Sequence, residues 1–335
     1  MQLRYLTFSD RGEALATRLA AGLGGTVSRC GRPLSLAAWT QAAFAQAQGL
    51  VFVGAAGIAV RAIAPYLRSK TADPAVVVVD ECGQFAVPIL SGHLGGANDL
   101  ARALAAVCGA VPVLTTATDV RGVFAVDEWA KGQNCWIANP ERIKTISAAV
   151  LAGRTVRVYS PWPIEGLPPA GVEETQDTAE CDIRLALGPS DSPCLSLVPR
   201  ILTLGIGCRR GTAQAALEGS FQTLLAQSGV HPRAISAAAS IDRKEREPGL
   251  LAFCRAHGWS CRFYSAAQLA ALPGEFTPSE FVQSVTGVDN VCERSAVCAS
   301  GGGLYWRKCA GNGVTLALAQ APYTPNWRWQ REDVS

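Results

Sequence analysis

Residues 51–99 read VFVGAAGIAVRAIAPYLRSKTADPAVVVVDECGQFAVPILSGHLGGAND, and the reading of this stretch decides the fold. The run GLVFVG, residues 49–54, is apolar without alternation, as a strand covered on both faces requires, and Ala55, Ala56 and Gly57 then lead into the helical spacing of IAVRAIAPYL. AVVVVD, residues 75–80, is a second buried β-branched run, and FAVPIL, residues 85–90, is a short return strand whose Pro88 favours an edge position. ANDLARALAAVC, residues 97–108, returns to helical spacing, with Asn98 or Asp99 placed to cap its first amides. Most of the plausible chemistry sits near these element ends: Arg61, Arg68, Lys70, Asp80, Glu81, His93, Asn98 and Asp99.

Working outward, LRYLTF at residues 3–8 reads as a strand and EALATRLAAGL at 13–23 as a helix, so alternating elements give a layered α/β domain over residues 1–130. From 131 to 199 the pattern weakens to one helix near PERIKTISAAVLAG, one strand at TVRVYS and a proline-rich turn, which fits a smaller middle domain or an elaborated linker. A second α/β domain runs over 200–322, with strands at ILTLGIG, AISAAAS and GVTLALA and helices starting near 212 and 246. The tail 323–335 has little periodicity and reads as a surface extension. The fold class is therefore α/β, two layered α/β domains joined by a smaller middle segment, and the length of 335 residues suits two or three domains.

Composition excludes several functions. The chain has 49% hydrophobic and 17% charged residues, and its formal charge of +3 is dispersed, with no basic block or aromatic interleaving for nucleic acid. Its most apolar run, Leu50 to Leu67, is interrupted by Gly54, Gly57, Arg61 and Pro65, so no membrane span is expected. The start MQLRYLTFSD lacks the apolar core of a signal peptide, which places twelve reduced cysteines in a cytoplasmic chain. No CxxC pair stands near His93, His231 or His257, so no protein-held metal is expected.

Gly54 and Gly57 stand at a strand-to-helix turn where free amides favour an anion, although a plain tight turn uses the same residues. Arg61 follows one turn later and can pair with carboxylates. His93, between Gly92 and Gly95 and just before a helix, is suited to proton transfer near neutral pH. Asp80 and Glu81 end a strand where open α/β sheets bind ligands, or form a loop that is acidic because it is wet. In the carboxyl-terminal part, Gly205, Gly207 and Gly211 have GxGxxxG spacing, but no acidic residue follows about 20 residues later to hold a ribose. Arg209 and Arg210 make that helix start equally suited to a polycarboxylate, and Asp242 and Lys244 follow the neighbouring strand. Cys208 stands near a helix start without a histidine base, which favours packing over catalysis. Glu245 and Glu247 are explained by helix-dipole compensation.

The segments GAAGIAVRAIAP, KTADPAVVVVDE and PILSGHLGGAND resemble the amino-terminal core of the CbiG-type cobalt-precorrin-5A hydrolases of anaerobic cobalamin biosynthesis. LTLGIGCRRGT, IDRKEREPGL and VCERSAVCASGGG resemble the carboxyl-terminal part of the same family. The resemblance implies opening of a δ-lactone on a cobalt-containing tetrapyrrole and release of acetaldehyde, giving cobalt-precorrin-5B. Cobalt would arrive with the substrate, and no cofactor is implied. On this reading His93 or Asp99 orients or deprotonates the attacking water and Lys70 stabilises oxyanion charge. Gly54, Gly57, Arg61, Gly92, Gly95, Asn98, Gly205, Gly207, Arg209, Arg210, Asp242 and Lys244 line the substrate. The partners implied are the tetrapyrrole and, transiently, neighbouring corrin-pathway enzymes. Two alternatives remain open at this stage: a non-catalytic tetrapyrrole carrier and a nicotinamide-dependent enzyme.

Overall fold

The computed structural model describes residues 2–31, 33–69, 72–93, 95–189 and 193–329. They form an α/β protein with three mixed sheets flanked by helices, in two compact units that divide after Glu128.

The first unit contains β1 (Leu3–Thr7), α1 (Asp10–Leu23), β2 (Thr26–Arg29), α2 (Leu36–Gln46), β3 (Gly49–Val53), α3 (Ala56–Ile63), β4 (Ala75–Val79), β5 (Phe85–Leu90), α4 (Ala97–Cys108), β6 (Val111–Pro112) and α5 (Ala117–Arg121). The unit boundary falls within α6 (Val126–Gly132). The sheet order is β2-β1-β3-β4-β5-β6. β1 to β4 are mutually parallel, while β5 runs antiparallel to β4. All ten residues of β3 and β4 are buried, which is why these strands read as unbroken apolar runs. One face packs on α1 and α4 through Leu15, Leu19, Leu100 and Leu104; the other holds Trp39, Ala59 and Ile63 of α2 and α3.

β5 is not the edge strand that Pro88 suggests, because β6 pairs beyond it. The proline is still accommodated: β6 pairs only with Phe85 and Ala86, so Pro88 has a strand partner on one side, at Val77.

The second unit holds two sheets. Its first comprises β7 (Cys135–Ile137), β8 (Val156–Tyr159), β9 (Val172–Thr175), β10 (Ile183–Leu185) and β11 (Leu195–Pro199), in the order β7-β11-β10-β8-β9, with α7 (Ile143–Leu151) between β7 and β8. The weakly patterned middle segment therefore builds a five-stranded sheet of its own. Its second sheet has the order β14-β13-β12-β16-β15, from β12 (Leu202–Cys208), β13 (Ile235–Ile241), β14 (Ser260–Tyr264), β15 (Gly303–Gly311) and β16 (Val314–Gln320). Helices α8 (Gln214–Ser228), α9 (Pro248–His257), α10 (Ala266–Ala270), α11 (Glu280–Thr286) and α12 (Cys292–Ser300) complete it. The described part of the tail is not a surface extension: Trp327 is buried, stacks on Trp129 at 5.1 Å, and the Trp129 indole donates to the Asn326 carbonyl at 2.8 Å.

Candidate functional site

His93 occupies the loop that joins β5 to α4. The loop doubles back on itself: Ala97 N donates to Ser91 O and Asn98 N to Gly92 O. A Cβ at Gly95 would lie 2.2 Å from the Ser91 Cβ, so glycine is required here for loop closure. Gly92 is constrained in the same way, with the Asn98 amide oxygen 2.9 Å from its ideal Cβ. Both glycines, expected to line the substrate, are thus explained by the turn that presents His93. α4 begins after Gly96 without a side-chain cap, and Asn98 is turned inward instead.

Around the imidazole the chain collects polar groups from α4 and from the 116–128 segment. His93 Nδ1 donates to Asp127 Oδ2 at 3.0 Å, and Nε2 donates to Asp119 Oδ2 at 2.9 Å. Asp119 Oδ2 also accepts from Asn98 Nδ2 at 2.9 Å and from the Thr116 hydroxyl, while Oδ1 accepts from Arg102 at 3.3 Å. Arg102 lies 3.5 Å from Asp99. A neutral imidazole has one N–H and could donate to only one of the two carboxylates, so with both carboxylates ionised this geometry fits the doubly protonated ring. Burial by itself lowers the His93 pKa, but the hydrogen bonds and charges of Asp127 and Asp119 outweigh it and push the pKa up from 6.5 to about 9. Burial opposes ionisation of Asp119, yet donors Thr116 and His93 and the Arg102 charge hold its carboxyl below the ordinary value.

Of the roles expected for His93, orienting or deprotonating the attacking water, a pKa pushed up to about 9 favours orienting the water or donating a proton. Asp99 reaches the cluster through Arg102. Asp119, Asp127, Thr116 and Arg102 were not singled out in the sequence; the available signal was the short-polar-rich TTATD at residues 115–119, which leads into α5 with Thr116 and Asp119 at capping-box spacing.

Gly54 and Gly57 do not join His93. Because β5 runs antiparallel to β4, the His93 loop lies where β4 begins, and Ser91 Oγ donates to Asp73 O there at 3.0 Å. Gly54 lies at the other end, its amide donating to Val79 O at 2.9 Å, so the five residues of β4, about 16 Å of strand, separate the two loops. Arg61 is exposed on α3, and Gly57 is exposed in its first turn. Arg68 belongs to the His93 end, its amide donating to both Asp73 carboxylate oxygens. Lys70 lies outside the described residues. Asp80 closes the β4–β5 turn by accepting from Cys82, Gln84 and Phe85 amides, and Glu81 accepts from Ser9, the cap of α1.

In the second unit, Gly205 is a packing residue: a Cβ there would sit 1.8 Å from the Cys292 carbonyl oxygen, so its absence lets α12 lie against β12. Gly207 faces the Thr315 hydroxyl, 2.4 Å from its ideal Cβ. Gly205 is buried and so not open to a ligand, while Gly207 is partly exposed. Glu247 takes the anion position of the loop, accepting from Gly211 N at 2.7 Å and from Lys244 Nζ at 3.1 Å, which is more than dipole compensation. Burial pushes the Cys208 thiol pKa up, as a packing role predicts. Asp242 accepts from the Arg243 amide at 2.7 Å, and Arg209, Arg210 and Asp242 remain exposed at the carboxyl ends of β12 and β13.

Three family models match the chain in succession: cobalamin synthesis G N-terminal over residues 38–119, the cobalamin biosynthesis central region over 124–197, and cobalamin synthesis G C-terminus over 202–319. The cobalt-precorrin-5A hydrolase of Salmonella typhimurium is 34% identical over 303 residues, covering 83% of this chain and 84% of the relative. The chain belongs to the cobalt-precorrin-5A hydrolase (CbiG) family. The cobalt-precorrin-5A hydrolase of Priestia megaterium is 32% identical over 307 residues, 84% of this chain and 80% of its own length. A crystal structure of a putative cobalamin biosynthesis protein G homolog from Sulfolobus solfataricus aligns over 96% of this chain and 97% of its own, at 22% identity and a TM-score of 0.41. The family's amino-terminal model covers the His93 loop, and its central model covers Asp127.

Proposed function

We propose that this chain hydrolyses cobalt-precorrin-5A, opening its δ-lactone and releasing acetaldehyde to give cobalt-precorrin-5B in cobalamin biosynthesis, with the His93 cluster as the proton-handling site. Family membership supports the reaction, and one observation supports the site: an imidazole with a carboxylate on each ring nitrogen. Asp127, the more buried partner, fixes the ring through Nδ1. The Nε2–H and Asp119 face each other with greater access to solvent, an acid and a carboxylate side by side.

Lactone opening needs both. Water adds to the ester carbonyl and loses a proton, and the alkyl oxygen leaves and gains one. Asp119 is the acceptor for the first transfer and His93 the donor for the second, after substrate parts their mutual hydrogen bond. The freed hydroxyl then gives up its proton as its carbon becomes the carbonyl of acetaldehyde, and the electrons of the broken carbon–carbon bond pass to the macrocycle.

Anaerobic incubation with cobalt-precorrin-5A, following acetaldehyde by a coupled dehydrogenase and the corrinoid by mass, tests this reading. Stoichiometric acetaldehyde is expected; tight binding without acetaldehyde would instead identify a carrier. The nicotinamide alternative is disfavoured by Glu247, whose carboxylate occupies the loop amide a pyrophosphate would need.

A further inference from the structure

The carboxyl ends of β12 and β13 carry exposed cations, one of them tied to a helix with an apolar surface. β12 and β13 are neighbouring parallel strands, and the Gly211 amide donates to Glu247, so the loop that carries Arg209 and Arg210 lies against the segment that carries Arg243 and Lys244. Arg209 and Arg210 are exposed, and among the described residues neither has an ion-pair partner, whereas Lys244 is engaged by Glu247. The Arg243 guanidinium donates to the Val285 carbonyl and so ties this mouth to α11. On α11, Val282 packs inward beside Ile241, Leu269, Val288 and Val291, while Phe281 is 68% and Val285 52% exposed. Residues four apart share a helix face, so the phenyl and isopropyl groups form one apolar shelf on the helix that Arg243 ties to this mouth.

We propose that Phe281 and Val285 form the shelf, and Arg209 and Arg210 the charged rim, of a docking surface for the cobalt tetrapyrrole. This inference rests on the hydrolase reading. Charge complementarity selects the occupant: a flat ring with an apolar plane and peripheral carboxylates satisfies shelf and rim together. Asp242 stands in the same mouth with its carboxylate accepting from the Arg243 amide, and Glu247 is near enough to Arg210 for their charges to interact, but neither carboxylate forms an ion pair with a rim arginine among the described residues.

The full-length chain is titrated with cobyrinic acid, a cobalt corrin whose side chains are free carboxylates, and with cobinamide, in which they are amidated, following the corrin absorbance. The wild type is expected to bind cobyrinic acid at least about 10-fold more tightly than cobinamide, and the Phe281→Ser/Val285→Ser and Arg209→Ala/Arg210→Ala double variants to lose at least about 10-fold of that affinity. All four side chains are exposed, so circular dichroism should be unaltered. Unchanged affinity in the Phe281→Ser/Val285→Ser chain overturns the proposal, whatever the arginine variant does. Acetaldehyde release from cobalt-precorrin-5A is scored separately. Release by the wild type with no effect of the shelf variant leaves the hydrolase standing without this surface; shelf-dependent binding without release removes the hydrolase and keeps the surface.

Discussion

At the scale of single residues, His93 depends on its two carboxylates for its charge, and that dependence has a measurable sign. Its pKa rises from 6.5 to about 9 on folding, so the native state holds a proton that the unfolded chain gives up. The resulting stabilisation is complete below about pH 6.5 and is lost as pH rises through about 9. Urea unfolding at a series of pH values should show stability falling across that window, with the slope absent in His93→Gln. If His93 acts as the acid, turnover should also fall as pH passes through about 9. His93→Ala should lower turnover by about 100- to 10,000-fold, the usual range for a group that transfers a proton; wild-type turnover in that variant would remove it from the reaction. Asp127→Asn keeps the shape but weakens a charged hydrogen bond, and should destabilise the first unit by roughly 1.5–3 kcal/mol in the same unfolding assay.

Between elements, close backbone approach decides what glycines do. Gly205→Ala would drive a methyl group into the Cys292 carbonyl, a backbone atom of α12 that cannot turn aside. We expect a loss of roughly 1–3 kcal/mol or more, read as a lower thermal midpoint. Buried Glu293 of the same helix receives Thr277 N, the Thr277 hydroxyl and Lys308 N at 2.7 to 2.8 Å, joining α12 to the 277 loop and β15. Both Gly205 and Glu293 lie in segments that could be read as ligand motifs, and their neighbours assign them to packing. The expectation for a nicotinamide cofactor follows at this scale: NAD(P)H at low micromolar concentration should not quench intrinsic fluorescence, because Glu247 holds the loop amide.

For the molecule as a whole, three sheets share one chain, and the second unit is completed by its last described residues. Trp327 stacks on Trp129, its indole donates to Glu174, and Asn326 bonds to Gln133. Truncation before Tyr323 would expose the Trp129 ring and strip these partners, so it should lower the thermal midpoint. A loss confined to residues 330–335 would leave those contacts in place.

The sequence by itself determined the α/β class, most strands and helices of the outer regions, and the family. Those follow from burial periodicity and from long motifs, which are local in the chain. Of the middle sheet only β8 was legible, and β2, β6, β14 and β15 were also unseen; the strands of two to four residues among them carry too few side chains to set up an alternation. Tertiary structure alone decided the site. The reversal of β5 relative to β4 sent His93 to one end of the sheet and Gly54 to the other. It also brought Asp119 and Asp127, 26 and 34 residues away, onto the two imidazole nitrogens. Strand direction and side-chain convergence are properties of pairing across the sheet, so no local pattern encodes them, and they fix both the charge of His93 and the groups it can work with.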